Sequence, residues 1–138
     1  RMTNVQAAVG CAQMEQLDSF VAAKRRIARG YDEALRGLPG VGLFPNPDWA
    51  ESACWFSGVT LAKPTVAEIR PRLREKGLDS RPFWKPIHLQ LPYRDAPTGT
   101  LAVCERLWQT ILTLPCSTGL TEAEQETVIA AVRSCLAR

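Results

Sequence analysis

Ala53-Cys54-Trp55-Phe56-Ser57-Gly58-Val59-Thr60-Leu61 is followed by Ala62-Lys63-Pro64-Thr65 and then by a stretch that reads as helix up to Lys76-Gly77. The first nine residues are mostly apolar, include two aromatics and the β-branched Val59 and Thr60, and predict a buried strand. Pro64-Thr65 offers a helix start and Gly77 a stop. Together they make one β-α step, which points to a mixed α/β fold. Pro71 falls inside that helix, where it removes one backbone hydrogen bond and is expected to disturb its regularity.

Upstream, residues 38–50 hold Pro39, Gly40, Gly42, Pro45, Asn46 and Pro47, the densest turn signals in the chain, and predict an irregular connection. Before it, Thr3 can cap a helix carrying Val5, Ala8, Val9 and Ala12 on one face. A second cap signal at Leu17-Asp18-Ser19 precedes Phe20, Ala23, Ile27, Tyr31, Ala34 and Leu35 at three- and four-residue steps, ending at Gly37 and Pro39. This gives two consecutive helices or one long kinked one. Lys24, Arg25, Arg26 and Arg29 make its other face basic; a solvated surface is the commoner outcome, phosphate binding the alternative.

Downstream, residues 79–97 are rich in proline and aromatics and read as a short strand followed by a constrained loop. Leu101, Cys104, Leu107, Trp108 and Ile111 recur at helical spacing, and Leu112-Thr113-Leu114-Pro115 suits a brief strand. Thr121-Glu122-Ala123-Glu124 is a capping-box start for a last helix with Val128, Ile129, Val132, Cys135 and Leu136 as its apolar stripe. The sheet is therefore expected to have few strands and to be packed by helices.

The chain has 138 residues, enough to bury about 68% of the surface of its unfolded form as one domain. Its 46% hydrophobic and 22% charged residues are ordinary for a globular protein. The net charge of +3, from 17 basic and 14 acidic side chains, is too small to imply nucleic acid or anionic lipid. No apolar run approaches the roughly 20 residues of a membrane span, and Arg1-Met2-Thr3-Asn4-Val5-Gln6 has no signal-peptide pattern. Cys11, Cys54, Cys104, Cys116 and Cys135 are scattered and odd in number, arguing against a disulfide framework and a zinc site and for a reducing, cytoplasmic location.

His88 is the only histidine and stands near Lys85 and Arg81 among aromatic rings. A cationic, half-dry loop suits an anion such as a phosphate, but local chemistry alone favours a packed loop histidine bonded to backbone carbonyls. Phosphate-cradling glycine loops and the H-E-x-x-H metal pattern are absent. Trp55, Trp84 and Trp108 are more often core or interface residues than base-stacking platforms.

Three blocks in order resemble the C-terminal half of the DegT/DnrJ/EryC1/StrS family of sugar aminotransferases. Arg1-Met2-Thr3-Asn4-Val5-Gln6-Ala7-Ala8-Val9-Gly10, with Gln16-Leu17 behind it, is similar to the family segment N-Y-R-M-S/T-N-x-Q-A-A-x-G that opens the helix between large and small domains. Ser80-Arg81-Pro82-Phe83-Trp84-Lys85-Pro86-Ile87-His88-Leu89-Gln90 resembles the R-P-x-W-K-P-M-H-x-Q stretch of the branch that aminates 4-keto sugar nucleotides. Leu114-Pro115-Cys116-Ser117-Thr118-Gly119-Leu120-Thr121 is similar to the family's L-P-S-S/G-x-x-L-T, with Cys116 where serine is usual.

The resemblance implies the small C-terminal α/β domain of a fold-type I pyridoxal phosphate (PLP) aminotransferase, with residues 1–37 as a long interdomain helix or helix pair and residues 38–138 as the domain itself. The chain begins inside the first motif, so the expectation is a C-terminal portion without the large PLP-binding domain. The parent would be a cytoplasmic homodimer transferring an amino group from glutamate to a keto sugar nucleotide. By the same resemblance His88 becomes a substrate contact, Arg1 a residue near the partner subunit's active site, and Trp84 and Lys85 companions that shape the loop. No catalytic, cofactor-binding or metal residue is expected within the chain, and no PLP is expected bound to it alone, because the Schiff-base lysine would lie upstream. The alternative is a non-catalytic dimerisation or nucleotide-sugar-binding module; the uncovered face of the first helix predicts self-association.

Overall fold

The computed structural model describes residues 1–62 and 66–136. Among these residues four strands, β1 (Val41–Leu43), β2 (Ser57–Leu61), β3 (Arg81–Pro82) and β4 (Ile111–Leu114), form one antiparallel sheet in the order β1-β2-β4-β3. Five α-helices accompany them among the described residues: α1 (Asn4–Glu15), α2 (Leu17–Leu35), α3 (Val66–Glu75), α4 (Ala102–Thr110) and α5 (Glu122–Leu136). The expected α/β fold with a small helix-packed sheet is the one observed.

The strand predicted over Ala53–Leu61 begins only at Ser57. Cys54 adopts a left-handed backbone (φ 52°) and its N–H turns back to Ser52 Oγ at 3.0 Å, so the chain cannot run extended through it. Trp55, expected to be buried, is exposed. Conversely, the stretch 38–50 is not wholly irregular. Val41–Leu43 pairs with β2 in the register Val41 opposite Leu61 and Leu43 opposite Val59.

Val59 and Leu61 alternate toward the helices, where they join Leu112 and Leu114 of β4. Ile27, Tyr31 and Leu35, at four-residue steps on α2, close over them together with Ile69 and Leu73 of α3 and Val128, Val132 and Cys135 of α5. One core thus unites α2 with the sheet. The Tyr31 hydroxyl donates to the Pro115 carbonyl at 2.7 Å inside this core, and Gln125 donates from Nε2 to the Ile27 carbonyl, tying α5 to α2.

The helix ends follow the local code. Thr3 accepts from the Gln6 N–H while Gln6 Oε1 accepts from the Thr3 N–H, a closed capping box. Thr121 and Glu124 repeat it ahead of α5. Pro71 is accommodated inside α3, which then stops in a Schellman turn: Leu78 N–H reaches Leu73 O, Gly77 N–H reaches Arg74 O, and Gly77 supplies the required positive φ of 75°. The predicted start of this helix at Pro64-Thr65 lies outside the described residues. No residue of α1 is buried; Val5 and Val9 of its expected apolar face are exposed.

The basic face of α2 is not merely solvated, as charge pattern alone implied. Lys24 Nζ donates to the Cys116 carbonyl at 2.6 Å, Arg25 Nε to the Ser52 carbonyl at 2.9 Å, and Arg26 to the Leu120 carbonyl at 3.2 Å. These cations fasten the loop that enters β2 and the loop that leaves β4, both at one end of the β2–β4 pair, and only Arg29 of the four is exposed.

Candidate functional site

The proline-rich loop predicted after β3 folds as two short 3-10 turns, Ile87–Leu89 and Leu91–Tyr93, because Pro86 and Pro92 restrict the backbone to turn and extended geometry. It lies against α4 and encloses a cleft of about 1000 Å³. Trp84, Lys85 and His88 line one wall; Leu107 and Trp108 of α4 line the other. The volume is that of a small-molecule site and the lining is mostly apolar, so charges placed at its wall act in a partly dry setting.

His88 is the half-buried polar element of this wall. Its Nε2 lies 2.9 Å from Glu105 Oε1 on α4. An ionised carboxylate only accepts, so Nε2 carries the proton and donates, which fixes the ring and leaves Nδ1 for another partner. The partner is thus a side chain on another helix and not the backbone carbonyls that local chemistry favoured. Nothing in the sequence near His88 signals Glu105, seventeen positions on; only the folding of α4 against the loop brings them together.

Lys85 and Trp84 are exposed, and Trp84 joins the wall to an aromatic cluster, with ring centres 4.9 Å from Phe56, 4.9 Å from Phe83 and 6.3 Å from Trp55. Edge-to-face packing at these distances holds the Trp84 ring in place. The structure therefore brings His88, Trp84 and Lys85 around one cleft. Arg1 is elsewhere, exposed ahead of α1, and Arg81 is occupied by Asp79 at 3.2 Å. Trp108 was readable only as part of a helical stripe; its buried indole Nε1 has no partner among the described residues.

PLP chemistry needs a lysine amine and an acidic partner for the cofactor ring. Lys24 is held by the Cys116 carbonyl, while Lys76 and Lys85 are exposed and make no ion pair among the described residues. These residues do not fit a Schiff-base site; Lys63 lies outside the described residues. Among the described residues no three His, Cys, Asp or Glu side chains gather as metal ligands, and no helix is long and apolar enough to cross a membrane.

Known proteins similar to this chain include aminotransferases, several of them named for sugar or nucleotide-sugar products. The chain is 38% identical over 136 residues to the provisionally named pyridoxal phosphate-dependent aminotransferase EpsN of Bacillus subtilis (strain 168), covering 94% of this chain and 34% of that protein. It is 34% identical over 140 residues to GDP-perosamine synthase of Caulobacter vibrioides, covering 99% and 38% respectively. Among solved structures, DesV of S. venezuelae, crystallised with a ketimine intermediate, superposes with a TM-score of 0.89 at 30% identity, over 100% of this chain and 38% of that one. The chain spans little more than a third of the length of these relatives. Residues 1–133 match the DegT/DnrJ/EryC1/StrS aminotransferase family, and the chain belongs to it.

Proposed function

We propose that this chain is the sugar-nucleotide-holding portion of an enzyme that moves an amino group, supplied by glutamate, onto a keto sugar nucleotide. The observation that carries the reading is the cleft in which Glu105 orients His88 between Trp84, Lys85 and the α4 wall. A diphosphate is matched by the Lys85 ammonium and the free edge of His88, while the aromatic rings offer flat apolar faces to a base or to the C–H face of a sugar. GDP-perosamine synthase and the other relatives named for nucleotide sugars support the substrate class.

PLP would supply the electron sink of the whole enzyme when bound to a part beyond the described residues. On this reading residues 1–37 join that part to the domain of residues 38–138, the whole acts as a cytoplasmic homodimer, Arg1 lies near the partner's active site, and the chain alone binds without turnover. The role of the described residues is to bind and orient: Glu105 holds the His88 proton on Nε2, and α4 screens the cleft from water.

Titrating GDP and dTDP sugars while following tryptophan fluorescence tests it. Saturable quenching is expected, with His88→Ala weakening binding by roughly tenfold or more and Glu105→Gln by less. Quenching that His88→Ala leaves unchanged, or none at millimolar ligand, sinks the assignment.

A further inference from the structure

A second cleft, of about 390 Å³, lies between α2 and the loop that leads from β1 into β2. Arg29 and Asp32 line it from the helix, Ser57 from the strand, and Phe44 and Phe56 give it apolar wall. None of its lining residues borders the His88 cleft, so the observation is independent of the function proposed above.

Ser57 is only 4% exposed, and its Oγ has no hydrogen-bond partner among the described residues. It alternates with Val59 and Leu61, whose side chains point to the helix-covered side of the sheet, so its side chain lies on the α2 side, where the residue borders the cleft. A buried hydroxyl left without a partner is rare unless something else satisfies it.

The charges around the cleft divide into two pairs. Arg25 and Glu51 satisfy each other, and Arg25 also donates to the Ser52 carbonyl. Arg29 and Asp32, three positions apart on α2, make no ion pair among the described residues, although they border the same space. Burial raises the Asp32 pKa, and nearby Arg36 offsets only part of that. A lone anion would meet Asp32 and a lone cation would meet Arg29, so neither matches the site by itself.

We propose that this cleft binds a small zwitterion, an α-amino acid, with its carboxylate on Arg29, its ammonium on Asp32 and the Ser57 hydroxyl completing the hydrogen bonds. The net charge of the pair is zero, as is that of the ligand, and the two ligand charges are close enough to be met from neighbouring positions of one helix face.

Cys54 borders the cleft and is half-buried, which provides a local reporter. Alkylation of the chain is followed by peptide mass in the presence of L-alanine, propionate, ethylamine or glucose, each at millimolar concentration. L-alanine should slow modification of Cys54 about fivefold or more and leave the exposed Cys11 and Cys104 unaffected, while the other three do nothing. Arg29→Gln and Asp32→Asn should each raise the protecting concentration by roughly tenfold, and Ser57→Ala by less. Arg29 is exposed, so its variant is expected to fold even if another does not. Equal protection by propionate would make this an anion site, and equal protection by glucose a carbohydrate site. Either result, no protection at all, or protection unaltered in Arg29→Gln overturns the proposal.

Discussion

Replacing Gly58 by alanine should destabilise the sheet at its middle. Gly58 lies in β2 opposite Thr113 of β4, and these are the two inner strands. A Cβ at this position would overlap the Leu112 carbonyl oxygen and come within 3.1 Å of both Thr113 Cα and Phe44 Cζ. Two of the three obstacles are backbone and cannot swing away, so β2 must move off β4. Leu112 is fully buried and Val59 nearly so, and a shift of either strand disturbs their packing. Overpacking of this kind costs about 1–3 kcal/mol, and the strained pairing puts the expectation at the upper end, about 3 kcal/mol. Gly42→Ala is the matched control. Its Cβ would meet the Thr60 hydroxyl, a side-chain atom that can rotate aside on an edge pair, so the loss should stay below about 1 kcal/mol. Urea unfolding followed by circular dichroism reads both variants through the midpoint at constant slope. Equal tolerance of the two alanines would refute the argument that the inner pair leaves no room for a side chain at 58.

Tyr31→Phe keeps the ring in the core but leaves the Pro115 carbonyl without its donor, and should cost about 1–2 kcal/mol in the same urea assay. Thr121→Ala removes the hydroxyl half of the α5 capping box and should cost about 1 kcal/mol. Bonds from the Thr121 N–H and hydroxyl lower the pKa of Glu124, so its contribution is present above the carboxylate's unfolded pKa and is lost as pH falls through the lowered one; Glu124→Gln should flatten that acid loss in melting curves taken across the acid range. Asp32 is the opposite case. Its pKa is raised by burial, so folding is most favourable below the unfolded pKa and weakens as pH rises through the folded one. Asp32→Asn should therefore melt higher than the parent near neutral pH and about equally in acid.

Local chemistry made much of this fold readable. Thr3 as a cap and Thr121 with Glu124 as a capping box announced two helix starts, the four-residue recurrence of Ile27, Tyr31 and Leu35 announced the buried side of α2, and Leu112-Thr113-Leu114 a strand. What escaped depends on partners distant in sequence. β1 is three residues long and exists because Val41, Gly42 and Leu43 find β2, a pairing that the surrounding Gly and Pro signals hide. The apolar quality of Ala53–Phe56 promised extension, but one left-handed residue, Cys54, ends it. The cations of α2 were legible as a charged face, yet not as clamps, since their acceptors are carbonyls 27 to 94 positions away. The site divides in the same way. The loop and His88 were legible from composition and from the resemblance, whereas Glu105 and the α4 wall were supplied by tertiary packing.

The most direct measurement is to isolate the protein containing this chain from its source, determine its intact mass, scan the near-visible for a PLP internal aldimine, and follow amino transfer from glutamate to a keto sugar nucleotide. The account predicts a mass well above that of these 138 residues, the aldimine band, and transfer that falls when His88 is replaced. An intact mass equal to this sequence with no band and no transfer would contradict it and leave a binding module without catalysis.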